Sequence, residues 1–291
     1  MQKLRDEIVA KCKALLEDGT VDRVIGWEKG LFDYDCSPAT FTKENIDELV
    51  YNEYCGSNLS KYLVKESKAE GNVAVLLKPC DTYSLNELLL EHRVKKEKIF
   101  VLGIPCGGMK DEKGELLMKC NTCKGNEHKI ADEVMDSDLT VPEARDRFEL
   151  VEKLDGMTPE ERFAFWQGEL SKCIRCNACR NVCPACTCLK CVFDNHASGI
   201  DSKANADSFE EKMFHIIRAF HVAGRCTDCG ECSRVCPQGI PLHLFNRKYI
   251  KEINELYGEY QAGETEDSRP PLANFTKEDA EPSVIYEKGR D

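Results

Sequence analysis

The chain has 291 residues, 32% of them charged, and its 52 Asp and Glu outnumber 40 Lys and Arg to give a net charge of −12. This acidic balance argues against nucleic acid, whose phosphates demand clustered Lys and Arg. The longest purely apolar run, Val73 to Leu77, is far short of a membrane span, and the N-terminus "MQKLRDEIVAKCKALLEDG" has no signal-peptide core, so the chain reads as cytoplasmic.

Taken in chain order, residues 2–18 read as an amphipathic helix that Gly19 ends. A strand follows at 21–28, and a helical stretch at 43–69 with Leu49, Leu59, Tyr62 and Leu63 as its apolar positions. "NVAVLLK" (72–78) and "KIFVLGI" (98–104) are unbroken apolar runs of the kind covered on both faces, with a helix at 81–92 between them. That rhythm predicts a βαβ unit and a parallel sheet. Residues 143–172 hold two helical patterns broken at Gly156 and Pro159; helices follow at 206–224 and 243–260. The expected architecture is therefore an α/β domain with a parallel sheet (1–142), an α-helical two-cluster ferredoxin-like domain (143–260) and an acidic extended tail (261–291).

Eighteen cysteines are the abnormal feature. Disulfide scaffolds belong to short exported chains, and in a reducing compartment such thiols read as metal ligands. Cys173, Cys176, Cys179 and Cys183, followed by Pro184, stand at C-x2-C-x2-C-x3-C-P. Cys226, Cys229, Cys232 and Cys236, followed by Pro237, repeat it. Zinc also takes C-x2-C pairs, but its sites rarely repeat the complete string, whereas two-cluster ferredoxins do and send the fourth cysteine to the other cluster. The expected 4Fe–4S sets are Cys173, Cys176, Cys179 with Cys236, and Cys226, Cys229, Cys232 with Cys183.

A second set lies earlier in the chain. Cys80 in "LLKPCD" and Cys106 in "GIPCGG" each follow a predicted buried strand, and Cys120 with Cys123 forms a C-x2-C loop. Strand ends of a parallel sheet lie side by side at the edge where ligands bind, so these four thiols are the ligand set of a third cluster. The plainer alternative is that Cys80 and Cys106 are small packing residues beside an incidental pair.

"KPCD", "VLGIPCGGM" and "KCNTCKG" followed by "HKIADEV" resemble the core of the beta subunits of deazaflavin-reducing hydrogenases and formate dehydrogenases. "KCIRCNACRNVCPACTCLKC" with "AGRCTDCGECSRVCPQGIPL" is similar to ferredoxin modules in relatives that accompany heterodisulfide-reductase-type, electron-bifurcating complexes, and in the first subunit of anaerobic sulfite reductases. The resemblance covers roughly residues 70–135 and 165–250. It implies a 4Fe–4S cluster next to a flavin (FAD), and redox subunits or ferredoxin as partners. The order departs from the family, where any ferredoxin module comes first. No G-x-G-x-x-G is present, and no stretch is assignable to flavin contacts.

Three assigned sets leave Cys12, Cys36, Cys55, Cys186, Cys188 and Cys191. Cys12 reads as a packing residue of the first helix, and Cys36 as a loop residue with no nearby partner in sequence. Cys186, Cys188 and Cys191 are closely spaced, and with Cys55 as fourth ligand they are expected to hold a further 4Fe–4S cluster; the alternative is that they shield the neighbouring clusters. The expected function is electron relay within a larger oxidoreductase. The alternatives are a flavin-containing subunit that itself reduces deazaflavin or nicotinamide, and an iron–sulfur scaffold or sensor.

Overall fold

The computed structural model describes residues 1–198, 209–267 and 270–271. Helix α1 (Gln2–Glu17) packs Leu4, Ile8, Cys12, Leu15 and Leu16 into the core of the first half, and the chain turns at Gly19. Strand β1 (Arg23–Lys29) follows, then β2 (Cys36–Phe41), antiparallel to β1. A short helix α2 (Leu63–Glu66) leads to β3 (Val73–Leu77), α3 (Pro79–Leu90), β4 (Ile99–Gly103) and the two-residue β5 (Glu133–Val134). The sheet order is β2-β1-β3-β4-β5, and every pairing except β1–β2 is parallel.

All five residues of β3 are fully buried, as a strand covered on both faces must be. Burying each of its Val and Leu side chains is worth about 1.5–3 kcal/mol. Pro79, with φ preset and no N–H to lose, occupies the first turn of α3.

Two expectations change. The stretch 43–69 is not one helix but 3-10 turns at Ile46–Glu48 and Leu59–Tyr62 running into α2. Asn52 and Asn58 are the reason: their side-chain oxygens accept the backbone N–H of Tyr54 and Ser60, two residues on, which competes with helical bonding. Strand β2 was not expected, because Pro38 breaks its pattern; it sits at the sheet edge, where a missing N–H is tolerated.

The second half is helical. Helix α4 (Glu149–Asp155) precedes α5 (Pro159–Ser171), which starts on a capping box between Thr158 and Glu161. One-turn helices α6 (Ala178–Asn181) and α8 (Glu231–Arg234) flank α7 (Phe209–His221), and α9 (His243–Tyr257) closes the domain. Of the helix expected at 206–224, residues 206–208 lie outside the described residues. Leu170, Phe193, Phe214, Ile240 and Leu242 form a small core with Cys173, Cys179 and Cys232, and Trp166 stacks on Phe245 at 3.8 Å.

Most of the expected tail lies outside the described residues, but its start does not trail away. Ala262 is buried, and the Asn86 side chain of α3 donates to the Gly263 carbonyl at 3.1 Å. No helix among the described residues is long and apolar enough to cross a membrane.

Candidate iron–sulfur centres

The two C-x2-C-x2-C loops follow one backbone path. Arg175 and Asp228, each just before a middle cysteine, have φ of 54° and 52°; Asn177 and Gly230, each just after it, have 63° and 69°. Left-handed turns at matched positions wrap the chain around a centre and aim N–H groups at sulfur. Arg175 N donates to Cys173 Sγ at 3.3 Å, and the backbone N–H groups of Ala185, Asp228 and Glu231 face Cys183, Cys226 and Cys229. N–H donors favour the thiolate, which is the form a metal binds.

Helices α6 and α8 pack together and interleave the two motifs. Burial pushes the thiols of Cys226, Cys229 and Cys232 up, and a Cys183 thiolate adds to the push at each. Burial also raises Cys179, to about 11; there the added cysteine charges are Cys232, Cys173 and Cys236. Cys183 thus lies near all three loop cysteines of the other motif, and Cys236, like Cys232, lies near Cys179.

In the first domain, Leu77 of β3 pairs with Gly103 of β4, and Cys80 and Cys106 each lie three residues beyond that pair. They face Cys120 and Cys123 across an enclosed cavity, and Cys229 of the second ferredoxin loop stands on the same wall. Again N–H groups meet sulfur: Met109 N donates to Cys120 Sγ at 3.3 Å, and Gly125 N to Cys123 Sγ at 3.4 Å. Burial raises the Cys80, Cys106 and Cys120 thiols, and the Lys78 ammonium lowers all three. Lys78 is itself fully buried, paired with Asp81 at 2.8 Å and lying over the Trp27 ring.

This loop docks on the ferredoxin-like domain through buried charge. Lys119 meets Glu231 at 2.7 Å, and Arg234 holds the same carboxylate. Arg247 joins Asp228 at 2.8 Å to Thr122 at 2.7 Å. Gly230 is required at the contact: a Cβ there would stand 2.8 Å from the Lys119 side chain, on a backbone already left-handed.

Cys186, Cys188 and Cys191 line one cavity, and Cys55 is not part of it. Cys55 is fully buried in the α/β core, where its thiol contacts Asn52 and Cys36. The core therefore gives Cys36 a partner far off in sequence and places the expected fourth ligand elsewhere. The Cys186 thiol donates to Cys183 and, with Arg218 and Lys61 nearby, brings the Cys183 thiol down to about 6 despite burial.

The donor sets fit iron–sulfur clusters: cysteines only, largely shielded, with N–H groups on sulfur. Lys78, Lys119 and Arg218, cations buried against these thiols, escaped the sequence reading. The one signal for Lys78 was its place in "KPCD".

Residues 169–240 match the 4Fe-4S dicluster domain. Along its length, the chain is 23% identical to the F420-dependent formate dehydrogenase subunit beta of Methanocaldococcus jannaschii, over 93% of this chain and 94% of that one. Over nearly its whole length the chain is thus similar to a formate dehydrogenase beta subunit, and its second half carries a 4Fe–4S dicluster domain. A second beta subunit, of F420-dependent formate dehydrogenase 1 from Methanococcus maripaludis, is 29% identical over 35% of this chain and 26% of its own length. Ferredoxin-3 of Sinorhizobium fredii is 32% identical over 25% of this chain and 70% of its own. This beta-subunit relative is an iron–sulfur electron-transfer subunit of an oxidoreductase complex.

Proposed function

We propose that the subunit relays electrons through three 4Fe–4S sites in line. Cys80, Cys106, Cys120 and Cys123 hold the first; Cys226, Cys229, Cys232 and Cys183 the second; Cys173, Cys176, Cys179 and Cys236 the third. When bound, such a cluster supplies reversible one-electron transfer at a potential set by burial, charge and hydrogen bonds to sulfur.

The observation that carries this reading is Cys229 on the wall of the first-domain cavity. A ligand of the second site there touches the first, so no redox-inert layer separates the domains. Lys119 and Glu231 lock the two loops in that register. At the opposite end Cys176 is exposed, which suits exchange with ferredoxin or with a partner subunit's centre. The FAD implied by the family resemblance belongs, on this reading, at the α/β end or on a partner.

The test is the metal, sulfide and flavin content of the anaerobically purified chain, unaltered and as Cys80→Ser with Cys106→Ser. The double variant is expected to lose about four irons per chain while the ferredoxin-type signals persist. Unchanged iron would remove the first-domain site from the relay. Zinc in place of iron would overturn all three sites. Reduction of nicotinamide or F420 by the chain alone would replace the relay with a flavoenzyme.

A further inference from the structure

Three cysteines fall outside the relay. Cys186, Cys188 and Cys191 share a cavity of about 400 Å³ with Lys61, Arg180, Arg218 and Arg225. The cations are matched to the thiols. Cys186 faces Arg218, Lys61 and Arg225; Cys188 faces Lys61; Cys191 faces Arg180.

Two of these cations have carboxylates of their own. Arg180 pairs with Asp194 at 2.7 Å, and Arg225 with Glu91. The other two do not: Lys61 donates to the Cys186 carbonyl, and Arg218 is the more telling. It is 2% exposed, it lines the cavity, and among the described residues it has no carboxylate partner, its one side-chain neighbour within hydrogen-bond reach being the sulfur of Cys232. Its electrostatic neighbours are sulfur atoms, those of Cys232, Cys179, Cys183 and Cys186. A buried guanidinium without an anion is costly, so Arg218 marks negative charge in the loaded protein: the relay ligands Cys232, Cys179 and Cys183 supply it on one side, and Cys186 faces it from the cavity.

We propose that this cavity holds a further iron–sulfur cluster, bound by Cys186, Cys188 and Cys191 through three of its irons, with the fourth iron facing the cavity. Three thiolates on a 4Fe–4S core leave a net negative charge, which Arg218 and Lys61 neutralise. Cys55 is not needed, since it is committed to the α/β core beside Cys36. A lone zinc ion would require its donors within about 2.0–2.3 Å of one point. The cavity, about 400 Å³, has room for a polynuclear centre instead, and metal analysis separates the two. The contact between Cys186 and Cys183 sets this cluster against the second relay site. The proposal takes its chemistry from the relay reading but concerns separate ligands.

The experiment uses the full chain purified anaerobically, with iron, sulfide and zinc analysis and EPR of reduced and mildly oxidised samples. A cluster with one iron not held by cysteine sheds it on mild oxidation and shows a 3Fe–4S signal. The triple variant Cys186→Ser, Cys188→Ser, Cys191→Ser is expected to lose that signal and about four irons per chain, and to keep the ferredoxin-type signals. The exposed Cys188 allows a milder variant, Cys188→Ser, which is expected to abolish or alter the same signal in a fully folded chain. Iron and spectra unchanged in both variants would overturn the proposal. So would loss of one zinc per chain instead of iron. An unaltered chain without ferredoxin-type signals would refute the relay itself, a different result from either.

Discussion

Lys119 and Glu231 meet at 2.7 Å with both side chains withdrawn from solvent, one beside Cys120 in the α/β domain and the other between Cys229 and Cys232. Burial alone would raise the Glu231 carboxyl, but Lys119 and Arg234 more than offset it and hold it below the usual carboxylate range. The pair is thus ionised, and it joins two sites that separate halves of the chain supply.

Removing one partner strands the other. Glu231→Gln leaves Lys119 and Arg234 buried without their anion, at a cost of roughly 3–5 kcal/mol. Denaturant melts are expected to show that loss, and iron content to fall in the first domain. Combining it with Lys119→Met is expected to cost less than the sum of the two single changes. Strict additivity would mean that the pair is not coupled.

Cys183→Ala tests the interleaving of the two motifs. It is expected to damage the site formed by Cys226, Cys229 and Cys232 and to spare the one formed by its own sequence neighbours, Cys173, Cys176 and Cys179. EPR of the reduced variant reads this directly. Loss of the opposite signal would reverse the pairing.

Gly230→Ala places a methyl group 2.8 Å from Lys119 at a residue with φ of 69°. The backbone penalty alone is about 1–2 kcal/mol, and the displaced Lys119 adds to it. Gly168→Ala in α5 is the control, with nothing within 4 Å of the new methyl. It is expected to stabilise by up to about 1 kcal/mol. Thermal melts showing equal effects at both positions would contradict the close approach.

Glu87 gives a pH dependence. Burial, and then the neighbouring Glu91, push its carboxyl up to about 8 from an ordinary 4.5, with Arg225 opposing. Between those two values the folded chain holds a proton that the unfolded chain has released. Its contribution to stability therefore declines as pH rises through that window and levels off above it. Glu87→Gln is expected to match the unaltered protein near the low end of the window and to gain in Tm towards the high end. A gain largest at low pH would have the wrong sign.

The sheet was legible because buried parallel strands announce themselves as unbroken apolar runs, and Val73–Leu77 and Ile99–Gly103 do so. Cys80 and Cys106 could be placed for the same reason, since each stands at a fixed offset from a strand end. Strand β2 was not legible, as Pro38 and Ser37 look like a loop until β1 supplies the partner. The stretch 43–69 misled because its leucines keep a helical spacing while Asn52 and Asn58 cap turns. Cys55 lay beyond sequence reasoning for another reason: its neighbour Cys36 is brought to it only by the folded core. The same holds for Arg218, since a charged residue on an amphipathic helix reads as solvent-facing until the sulfur atoms opposite it are known.

The interleaving of the two motifs has a consequence for how the protein is made. The four thiols of the first-domain cavity are all present once residue 123 has been synthesised, whereas on the proposed pairing the set with Cys183 is complete only at residue 232 and the set with Cys236 only at residue 236. At about 5–20 residues per second, those 113 intervening residues take roughly 6–20 s. For the last 53 of those residues, from residue 183 to residue 236 and roughly 3–11 s, a nascent chain carries Cys173, Cys176, Cys179 and Cys183 with their partners still unmade. Oxidation or capture of stray metal is then a hazard of synthesis, and a cell making this subunit has reason to shield the emerging loop until its counterpart arrives.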